Sequence, residues 1–380
     1  AWQVLGLVAL GLLGIFLVWP LAGMLGKSFV NADGSLGLDG YRRFFGDASY
    51  RAVLFNTLWL GAAVTLSAML LGGGLALVVA RFRFPGAGLV ALLPLLTLVI
   101  PDVVVAAAWL LVLGKQGLVN LWLAPLGVEL PSLYSWWGLI FVMTLNNYVY
   151  AFVAVLAGLK SMDRHLEEAA LGLGRPPGRV LLGVTLPLLL PSLLAGALMV
   201  FTHVIGSFGV PAVLGARTPV LAVKAYNEFV SEMGGNPQMQ TTMASLLVLL
   251  GVALLLLQKR CVQGRRFQME AGRSAAPVPI RGAPAALASG AVLGVVALSL
   301  LPALVVLVTA FTPSVGPVLR YGDFTWAHLQ VALVRAPEPL YNSLFLASVA
   351  TAVGLLFSVA LAYLIVKKPS LLTQALDLAV

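Results

Sequence analysis

The sequence predicts an all-α membrane protein, a polytopic bundle of about eight transmembrane helices. Composition is the first indication. Of the 380 residues, 60% are hydrophobic and 10% are charged, and the mean hydropathy is +1.00, whereas soluble domains carry about 25% charged residues. The second indication is a series of apolar runs roughly 20 residues long, the length at which a helix crosses a hydrocarbon core about 30 Å thick.

The apolar runs define the predicted spans in chain order. They cover residues 4–25, 52–80, 87–113, 136–159, 188–210, 241–257, 285–310 and 342–366. Pro94 and Pro101 interrupt the third run, because proline cannot donate a helical hydrogen bond. A short interfacial helix is expected after that run, at residues 118–123.

Two features bear on catalysis and cofactors. Gly26-Lys27-Ser28 is similar to the end of a phosphate-binding loop, but it closes a membrane span, and Leu21 occupies the position of the required upstream glycine. The single cysteine, Cys261, excludes an internal disulfide and a cysteine-based metal cluster. We therefore expect no ATPase site, no catalytic residues, no cofactor and no metal site in this chain.

Charge indicates the orientation of the spans. Of the 23 Lys and Arg residues, 14 lie in inner segments if the loop at 163–187 is cytoplasmic, and nine lie in outer segments. The inner charges crowd into short loops beside helix ends, where basic residues favour the cytoplasmic side most strongly. The net charge of +9 thus indicates cytoplasmic loops and contact with anionic lipid headgroups, and no nucleic-acid partner is expected.

A parallel internal repeat relates the beginning of the chain to its end. Segment 56–60 matches segment 342–346 at an offset of 286, and Arg81 and Lys367 close the two runs in the same register. Prolines in the first and seventh runs match at an offset of 282. The repeats are parallel because an even number of spans separates them.

The repeat divides the chain into two predicted halves. Residues 1–258 form a first half with six transmembrane helices, and residues 259–284 form a basic, proline-containing cytoplasmic linker. Residues 285–380 form the start of a second half with two helices. A remainder is expected beyond it, since this second half stops before any counterpart of loop 163–187.

Loop 163–187 is the most informative stretch. Helix-forming residues follow Asp163, and acidic residues near the start of a helix are favoured by its dipole. Gly174 suits the left-handed turn that ends a helix, and Pro176 and Pro177 oppose its continuation. A short helix, a turn and re-entry into the membrane are predicted.

The spacing in this loop resembles the EAA loop of binding-protein-dependent ABC importers. The matching residues are Glu168, Ala169, Ala170, Gly174, Val184, Leu186 and Pro187. The fused two-half layout is similar to the permeases of ferric-iron, thiamine and phosphonate importers. The resemblance implies a type I importer permease fold in a bacterial inner membrane, passing a small solute into the cytoplasm.

The resemblance also implies partners and a docking site. An ABC ATPase subunit dimer would bind and hydrolyse ATP, and an extracytoplasmic solute-binding protein would deliver the solute. The residues expected to couple the chain to the ATPase are Glu167, Glu168, Ala169, Ala170, Gly174, Leu186 and Pro187. The substrate is expected among 2-aminoethylphosphonate, ferric iron and thiamine, with a preference for the phosphonate group.

Polar and helix-breaking residues within the spans are candidates for the translocation path or its gate, because polar side chains are unfavourable in lipid. These are Asp102, Asn146, Asn147, His203, Ser207, Gly209 and Pro211. Other interpretations stay open at this point. Asp102 could reach water at the outer face, the two asparagines could bridge helices, His203 could be a packing residue, and the stretch 206–215 could simply end a helix.

Two other functional classes compete with the importer. An ion-coupled secondary transporter also has internal repeats and intramembrane polar residues, but it would need coupling carboxylates, and Asp102 is the sharpest candidate. A membrane scaffold would have no reason for an EAA loop. Dependence of uptake on ATP, against dependence on a sodium or proton gradient, distinguishes importer from secondary transporter.

The orientation predicts the outcome of thiol labelling. In sealed cells, a cysteine introduced at Asn31 should react with a membrane-impermeant reagent, and the native Cys261 should not, because the first lies outside and the second inside. Labelling of Cys261 in intact cells would invert the topology.

Overall fold

The computed structural model describes residues 2–31, 33–163, 165–230, 236–263, 277–315, 318–319 and 322–367. Most of the predicted linker, 264–276, and the segment 368–380 of the predicted second half lie outside the described residues.

Helices account for nearly all of the regular structure. Those in the first part of the chain are α1 (Trp2–Leu13), α2 (Trp19–Lys27), α3 (Asp39–Gly46), α4 (Ala48–Arg81), α5 (Ala87–Val90), α6 (Asp102–Leu113), α7 (Leu118–Leu123), α8 (Trp136–Ser161) and α9 (His165–Gly172). The others are α10 (Pro177–Val180), α11 (Leu186–Gly206), α12 (Gly209–Leu214), α13 (Leu221–Val230), α14 (Pro237–Gln263), α15 (Ala283–Ala310), α16 (Ala327–Arg335) and α17 (Pro337–Lys367).

Shorter elements connect these helices. Two 3-10 segments lie at Leu93–Val99 and Ala124–Leu126, and two π-helical turns lie at Gly14–Val18 and Leu181–Thr185. Strand β1 (Phe82–Arg83) pairs in parallel with β2 (Val278–Pro279), and β3 (Ser314–Val315) pairs antiparallel with β4 (Val318–Leu319). The first pair joins the end of α4 to the part of the predicted linker that precedes α15.

Eight helical segments of the described chain are long and apolar enough to cross a membrane, which confirms the predicted number. Two predicted boundaries were wrong. In the third span the break at Pro101 is complete, so that α6 begins at Asp102 and the span-length segment runs over Asp102–Leu126. The fifth begins earlier than predicted and covers Pro177–Gly206. The helix predicted at 118–123 is confirmed as α7, and its interfacial position stays a prediction.

The fifth span begins early because a π-helical turn accommodates its proline. The turn Leu181–Thr185 directly precedes Leu186 and Pro187, and the turn Gly14–Val18 precedes Pro20 in the same way. A wider turn makes room for the proline ring and accommodates the loss of its backbone N–H. The helix therefore continues through the proline instead of starting there. The sequence-based interpretation treated this proline as a boundary.

The chain forms two compact units that do not coincide with the predicted halves. One unit comprises Tyr41–Leu307, and the other comprises Ala1–Gly40 together with Val308–Val380. Most of α15, which opens the predicted second half, therefore belongs to the unit that contains the rest of the first half. Conversely, α1 belongs to the unit that contains α17. The division into halves by sequence stays a prediction.

Close helix packing forms the core of the unit Tyr41–Leu307. Helix α4 packs along α8 and α11, and glycine permits the closest approach. A Cβ atom at Gly72 would lie 2.3 Å from the carbonyl oxygen of Tyr148 and 2.8 Å from the backbone nitrogen of Phe152. Small residues are the usual means by which membrane helices approach this closely.

Helix α15 also contributes to this core. Val292 and Val296 are buried in it, and the hydroxyl groups of Ser299 and Tyr148 are hydrogen-bonded at 3.0 Å. In the unit that contains the chain's first span, Ala9 of α1 and Leu361 of α17 are buried in a separate small cluster. The first span of the predicted second half, α15, thus packs in the unit that holds most spans of the first half. The first span of the predicted first half, α1, packs in the unit that holds α17 of the second half.

A second cluster lies at the end of α4 opposite Arg81. Phe44, Tyr50 and Met243 are buried there, and the Tyr50 hydroxyl donates a hydrogen bond of 3.2 Å to Glu228 on α13. Desolvation raises the pKa of Glu228, but the hydrogen bond and charge of Lys224, 3.0 Å away, outweigh it and leave the pKa lowered. Glu228 is therefore ionised at neutral pH and ties α13 to α4.

The order of elements confirms the parallel repeat. In both copies a membrane span is followed by a small β contact, a short helix and a long helix: α3 precedes α4, and α16 precedes α17. One hydrogen bond also recurs. Gly37 donates to the carbonyl of Phe29 at 2.8 Å, and Thr325 donates to the carbonyl of Phe311 at 2.9 Å.

The packing of α4 predicts opposite effects for two neighbouring glycines. Gly72→Ala should destabilise the protein by about 1–3 kcal/mol, because its Cβ would overlap the backbone of α8. Gly74→Ala is the matched control, since a Cβ there meets nothing within 4 Å, and alanine favours helix by about 1 kcal/mol over glycine. Thermal unfolding in detergent measures both. Equal melting temperatures for the two variants would contradict this packing.

Candidate functional site

Helix α9 is built by local signals at both ends. The side chain of Asp163 accepts a hydrogen bond of 3.0 Å from the N–H of His165, the first residue of the helix. At the other end Gly174 has φ +79°, its N–H donates to Leu171, and the N–H of Arg175 donates to the carbonyl of Ala170. These are the two hydrogen bonds of a Schellman cap. The predicted helix and turn are confirmed.

The two adjacent acids of α9 have different surroundings. Glu167 is 4% exposed. It forms a salt bridge with Arg81 at the end of α4 and accepts a hydrogen bond from the hydroxyl of Thr185. Arg81 also donates to Thr185 at 3.2 Å. Three elements therefore meet at one buried carboxylate: α4, α9 and the π-helical turn that leads into α11.

Glu168 lies on the outward face of α9. Its side chain is 54% exposed, and its carboxylate is 3.7 Å from Nδ1 of His165. Leu166, Leu171 and Leu173 are exposed beside it, Leu173 to 84%. Three large apolar side chains exposed on one short helix and its turn, outside the candidate spans, have the character of a protein-binding surface.

The remaining residues predicted for coupling are distributed around this helix. Ala169 and Gly174 are exposed, and Ala170 is half-buried. Leu186 is half-buried at the first turn of α11, and Pro187 next to it is exposed. The structure thus places Glu168, Ala169 and Gly174 on the outer surface, whereas Glu167 faces inward.

A second polar cluster forms around Asp102, the first residue of α6. Its carboxylate accepts a hydrogen bond of 2.8 Å from the side-chain amide of Asn146 on α8 and one of 3.0 Å from the hydroxyl of Ser207, which follows α11. The carbonyl of Pro101 accepts hydrogen bonds from the first turn of α6, so the helix begins at this point. Three chain segments predicted for the path are brought together.

Asp102 is bonded near the middle of the length of α8. Asn146 is ten residues from Trp136, the start of α8, or about 15 Å along the helix axis at 1.5 Å per residue. The other end of α8, Ser161, is about 22 Å away by the same measure. In a hydrocarbon core about 30 Å thick, a carboxylate bonded to Asn146 must be paired, hydrated or hydrogen-bonded.

Helix α12 packs against the Asp102 cluster. A Cβ at Gly209 would lie 2.5 Å from Cβ of Asp102 and 3.0 Å from the backbone nitrogen of Val103, so only glycine fits without a shift. Pro211 is buried, and its carbonyl accepts from Gly215 at 2.8 Å as the helix ends. Helix α12 is therefore a short element held closely against the start of α6.

Two other predicted path residues lie elsewhere. The amide of Asn147 donates to the carbonyl of Met143 in its own helix at 2.8 Å, and its side chain is buried. The ring of His203 lies 5.0 Å from that of Tyr150, where both line a cleft of about 510 Å³ with Met199. Neither residue is hydrogen-bonded to the Asp102 carboxylate, but the charge of Asp102 acts on the His203 ring. Within the described residues, no group of three or more His, Cys, Asp or Glu could hold a metal ion.

Sequence reasoning did not single out Arg81 or Thr185. Arg81 was interpreted only as a basic residue that closes a span, and Thr185 as a variable position of the EAA spacing. Residues about 100° apart on a helix can both be exposed, as Glu168 and Ala169 are, so the sequence does not indicate that it is Glu167 that faces inward. Its partner is 86 residues away and carries no local signature.

The family to which the chain belongs is shown by its similarity to known proteins. A family model described as "Binding-protein-dependent transport system inner membrane component" matches residues 68–267. A probable ABC transporter permease protein, y4fN, of Sinorhizobium fredii is 28% identical over 99% of this chain and 67% of its own length.

A putative 2-aminoethylphosphonate transport system permease protein, PhnU, of Salmonella choleraesuis is 28% identical over 67% of this chain and 88% of its own length. A chain of a bacterial ABC transporter that imports alginate shares the fold, with a TM-score of 0.56 and 20% identity over 67% of this chain and 91% of that one. The chain belongs to the family of binding-protein-dependent transport system inner membrane components, the permease subunits of ABC importers.

Proposed function

We propose that this chain passes a small solute, delivered by an extracytoplasmic binding protein, across a bacterial inner membrane into the cytoplasm. ATP is bound and hydrolysed by an ABC ATPase dimer that docks on the surface of α9 and the turn at Gly174. The observation that carries the proposal is this helix: it is fixed from inside by a buried carboxylate and presents an exposed apolar and acidic face outward.

The chemistry of the α9 surface supports an ATPase partner. Leu166, Leu171 and Leu173 are exposed in a segment outside the candidate spans, so lipid does not cover them. Glu168 adds an exposed carboxylate to this helix, which a basic groove would complement. The small side chains of Ala169 and Gly174 allow close approach.

The Asp102 cluster supports a path through the unit Tyr41–Leu307. It joins α6, α8 and the segment between α11 and α12, and its carboxylate is half-buried. Because α12 packs against Asp102 at Gly209, where a side chain would not fit, movement of α12 would uncover the carboxylate. We assign the cluster to the outer gate of the path.

The proposed substrate is a small solute with a cationic group, and 2-aminoethylphosphonate is the preferred candidate over ferric iron and thiamine. The similarity to the phosphonate permease from Salmonella supports this choice. The ammonium group of an aminoalkylphosphonate is also a suitable partner for a carboxylate such as Asp102.

Reconstitution tests the function and separates it from an ion-coupled secondary transporter. The permease should co-purify with its ATPase and take up 2-aminoethylphosphonate in proteoliposomes only with ATP and the binding protein. Ferric iron and thiamine serve as competing substrates. Uptake that needs no ATP and follows an imposed sodium or proton gradient would support the secondary transporter and overturn the proposal.

Two variants test the docking surface. Glu168→Lys should weaken ATPase association by more than about tenfold, because like charges placed together at an interface cost several kcal/mol. Gly174→Val should be more severe, since a β-branched residue is strongly disfavoured at φ +79° and the turn would be displaced. Both should insert normally in the membrane.

Co-purification and ATP-driven uptake measure both effects. The control is Arg217→Glu, an exposed position of the loop after α12, which should leave ATPase association unchanged. Wild-type association and uptake in both loop variants would refute docking at α9.

The Asp102 cluster predicts a loss of transport without loss of protein. Asp102→Leu should abolish most uptake and leave expression and ATPase association intact. Asp102→Asn should keep the melting temperature, because it retains an acceptor for Asn146 or Ser207, but it should also reduce uptake of a cationic solute. Full uptake by the asparagine variant would show that the carboxylate only fastens helices together.

A further inference from the structure

We infer that α4 carries the movement of α9 to the loop that leads into α13, with Arg81 and Thr57 as positioning residues at its two ends. The inference rests on the proposed function, because it assumes that an ATPase moves α9. It assigns a mechanical role to a helix for which the sequence indicated only a membrane span.

At its inner end, α4 is bound to α9 by charge. Arg81 is the last residue of α4 and pairs with Glu167, which is 4% exposed. Displacement of α9 relative to α4 would leave this carboxylate buried without its cation, which is strongly unfavourable. Thr185 bonds to both members of the pair and ties the start of α11 to them. Helix α4 must therefore follow α9.

At its outer end, α4 is bound to the loop after α12 by hydrogen bonds to backbone groups. The hydroxyl of Thr57 accepts a hydrogen bond of 2.8 Å from the N–H of Leu221. The side-chain amide of Asn56 donates one of 3.0 Å to the carbonyl of Pro219. Thr57 is 2% exposed and Leu221 fully buried, so breaking their bond would leave a buried donor unsatisfied. The loop must follow α4.

The helix between these ends transmits displacement as one body. Thr57 and Arg81 are 24 residues apart on one uninterrupted helix, or about 36 Å. The helix contains Gly72-Gly73-Gly74, a sequence that would weaken it in isolation. Here Gly72 and Gly73 are buried against α8, whose backbone supports the segment. A shift at Arg81 therefore reaches Thr57 instead of being absorbed by a bend.

The outer loop lies next to the proposed gate in the sequence. Helix α12 ends at Leu214, and the anchored residues Pro219 and Leu221 follow within seven positions. Displacement of α4 thus pulls directly on the segment that holds α12 against Asp102. This connects the ATPase surface to the gate through residues that touch neither ATP nor solute.

The test uses the complete transporter with its ATPase and binding protein in proteoliposomes. Arg81→Gln and Thr57→Val each remove one end contact, and each should reduce the stimulation of ATP hydrolysis by the loaded binding protein by about fivefold or more, a typical size for coupling between sites. Unstimulated hydrolysis and ATPase association should stay unchanged in Thr57→Val, which leaves α9 and its ion pair intact. Arg81→Gln also removes the partner of Glu167, so its stimulation is measured per bound ATPase. The probe solute is 2-aminoethylphosphonate.

Matched controls separate positioning from stability. Arg83→Gln changes an exposed arginine two residues from Arg81 and should have no effect. Thr57→Ser keeps the hydroxyl and should restore coupling. If Arg81→Gln does not fold, the exchange Arg81→Glu with Glu167→Arg rebuilds the ion pair in reverse and should recover part of the stimulation.

The double variant decides the question. The free-energy effects of mutations at sites this far apart normally add. If both residues act on one transmission element, the combination Arg81→Gln with Thr57→Val should instead reduce stimulation no more than either single variant. The inference would be overturned if the loss of stimulation in the double variant equalled the product of the two single losses. Wild-type stimulation in both single variants would overturn it as well. Failure of the wild-type complex to transport with ATP would instead refute the proposed function.

Discussion

The orientation of α9 depends on one buried ion pair. Glu167 can be buried only because Arg81 and Thr185 satisfy it, since an unpaired buried carboxylate would be strongly destabilising. Adjacent residues of a helix point about 100° apart, so turning Glu167 inward turns Glu168 outward. The Schellman cap at Gly174 then fixes where the helix ends. The orientation of the proposed docking face is thus determined from inside the protein, by a residue that the proposed partner does not need to touch.

The repeat explains why similar polar side chains occur at matching positions of α4 and α17. Asn56 and Thr57, which anchor the outer loop to α4, correspond to Asn342 and Ser343 of α17 in the predicted register. The second copy therefore has an amide and a hydroxyl side chain at the positions that anchor the outer loop in the first copy. The first span of each predicted half is also placed in a corresponding way. Helix α15 packs with the core around α8, and α1 packs with α17. Such an exchange would make each half depend on the other for its packing.

The parts of the fold that sequence predicts are those with local causes. Apolar length gives the eight spans, and a capping acid, a glycine and following prolines give α9 and its turn. The missed features are non-local. Nothing near Glu167 indicates that its partner is Arg81, and the Asp102 cluster joins residues 44 and 105 positions apart. The wrong start of the fifth span has a different cause: proline interrupts a regular α-helix, but a π-helical turn removes the conflict.

The contacts of Asp102 also bear on how the protein is driven. In an ion-coupled transporter an intramembrane carboxylate must exchange a proton or a cation during the cycle. Asp102 instead accepts hydrogen bonds from an amide and a hydroxyl, both of which stay neutral throughout. These donors hold three chain segments around the carboxylate. In the proposed function the energy for movement enters at α9, whose exposed leucines and carboxylate form the surface through which the proposed ATPase supplies it.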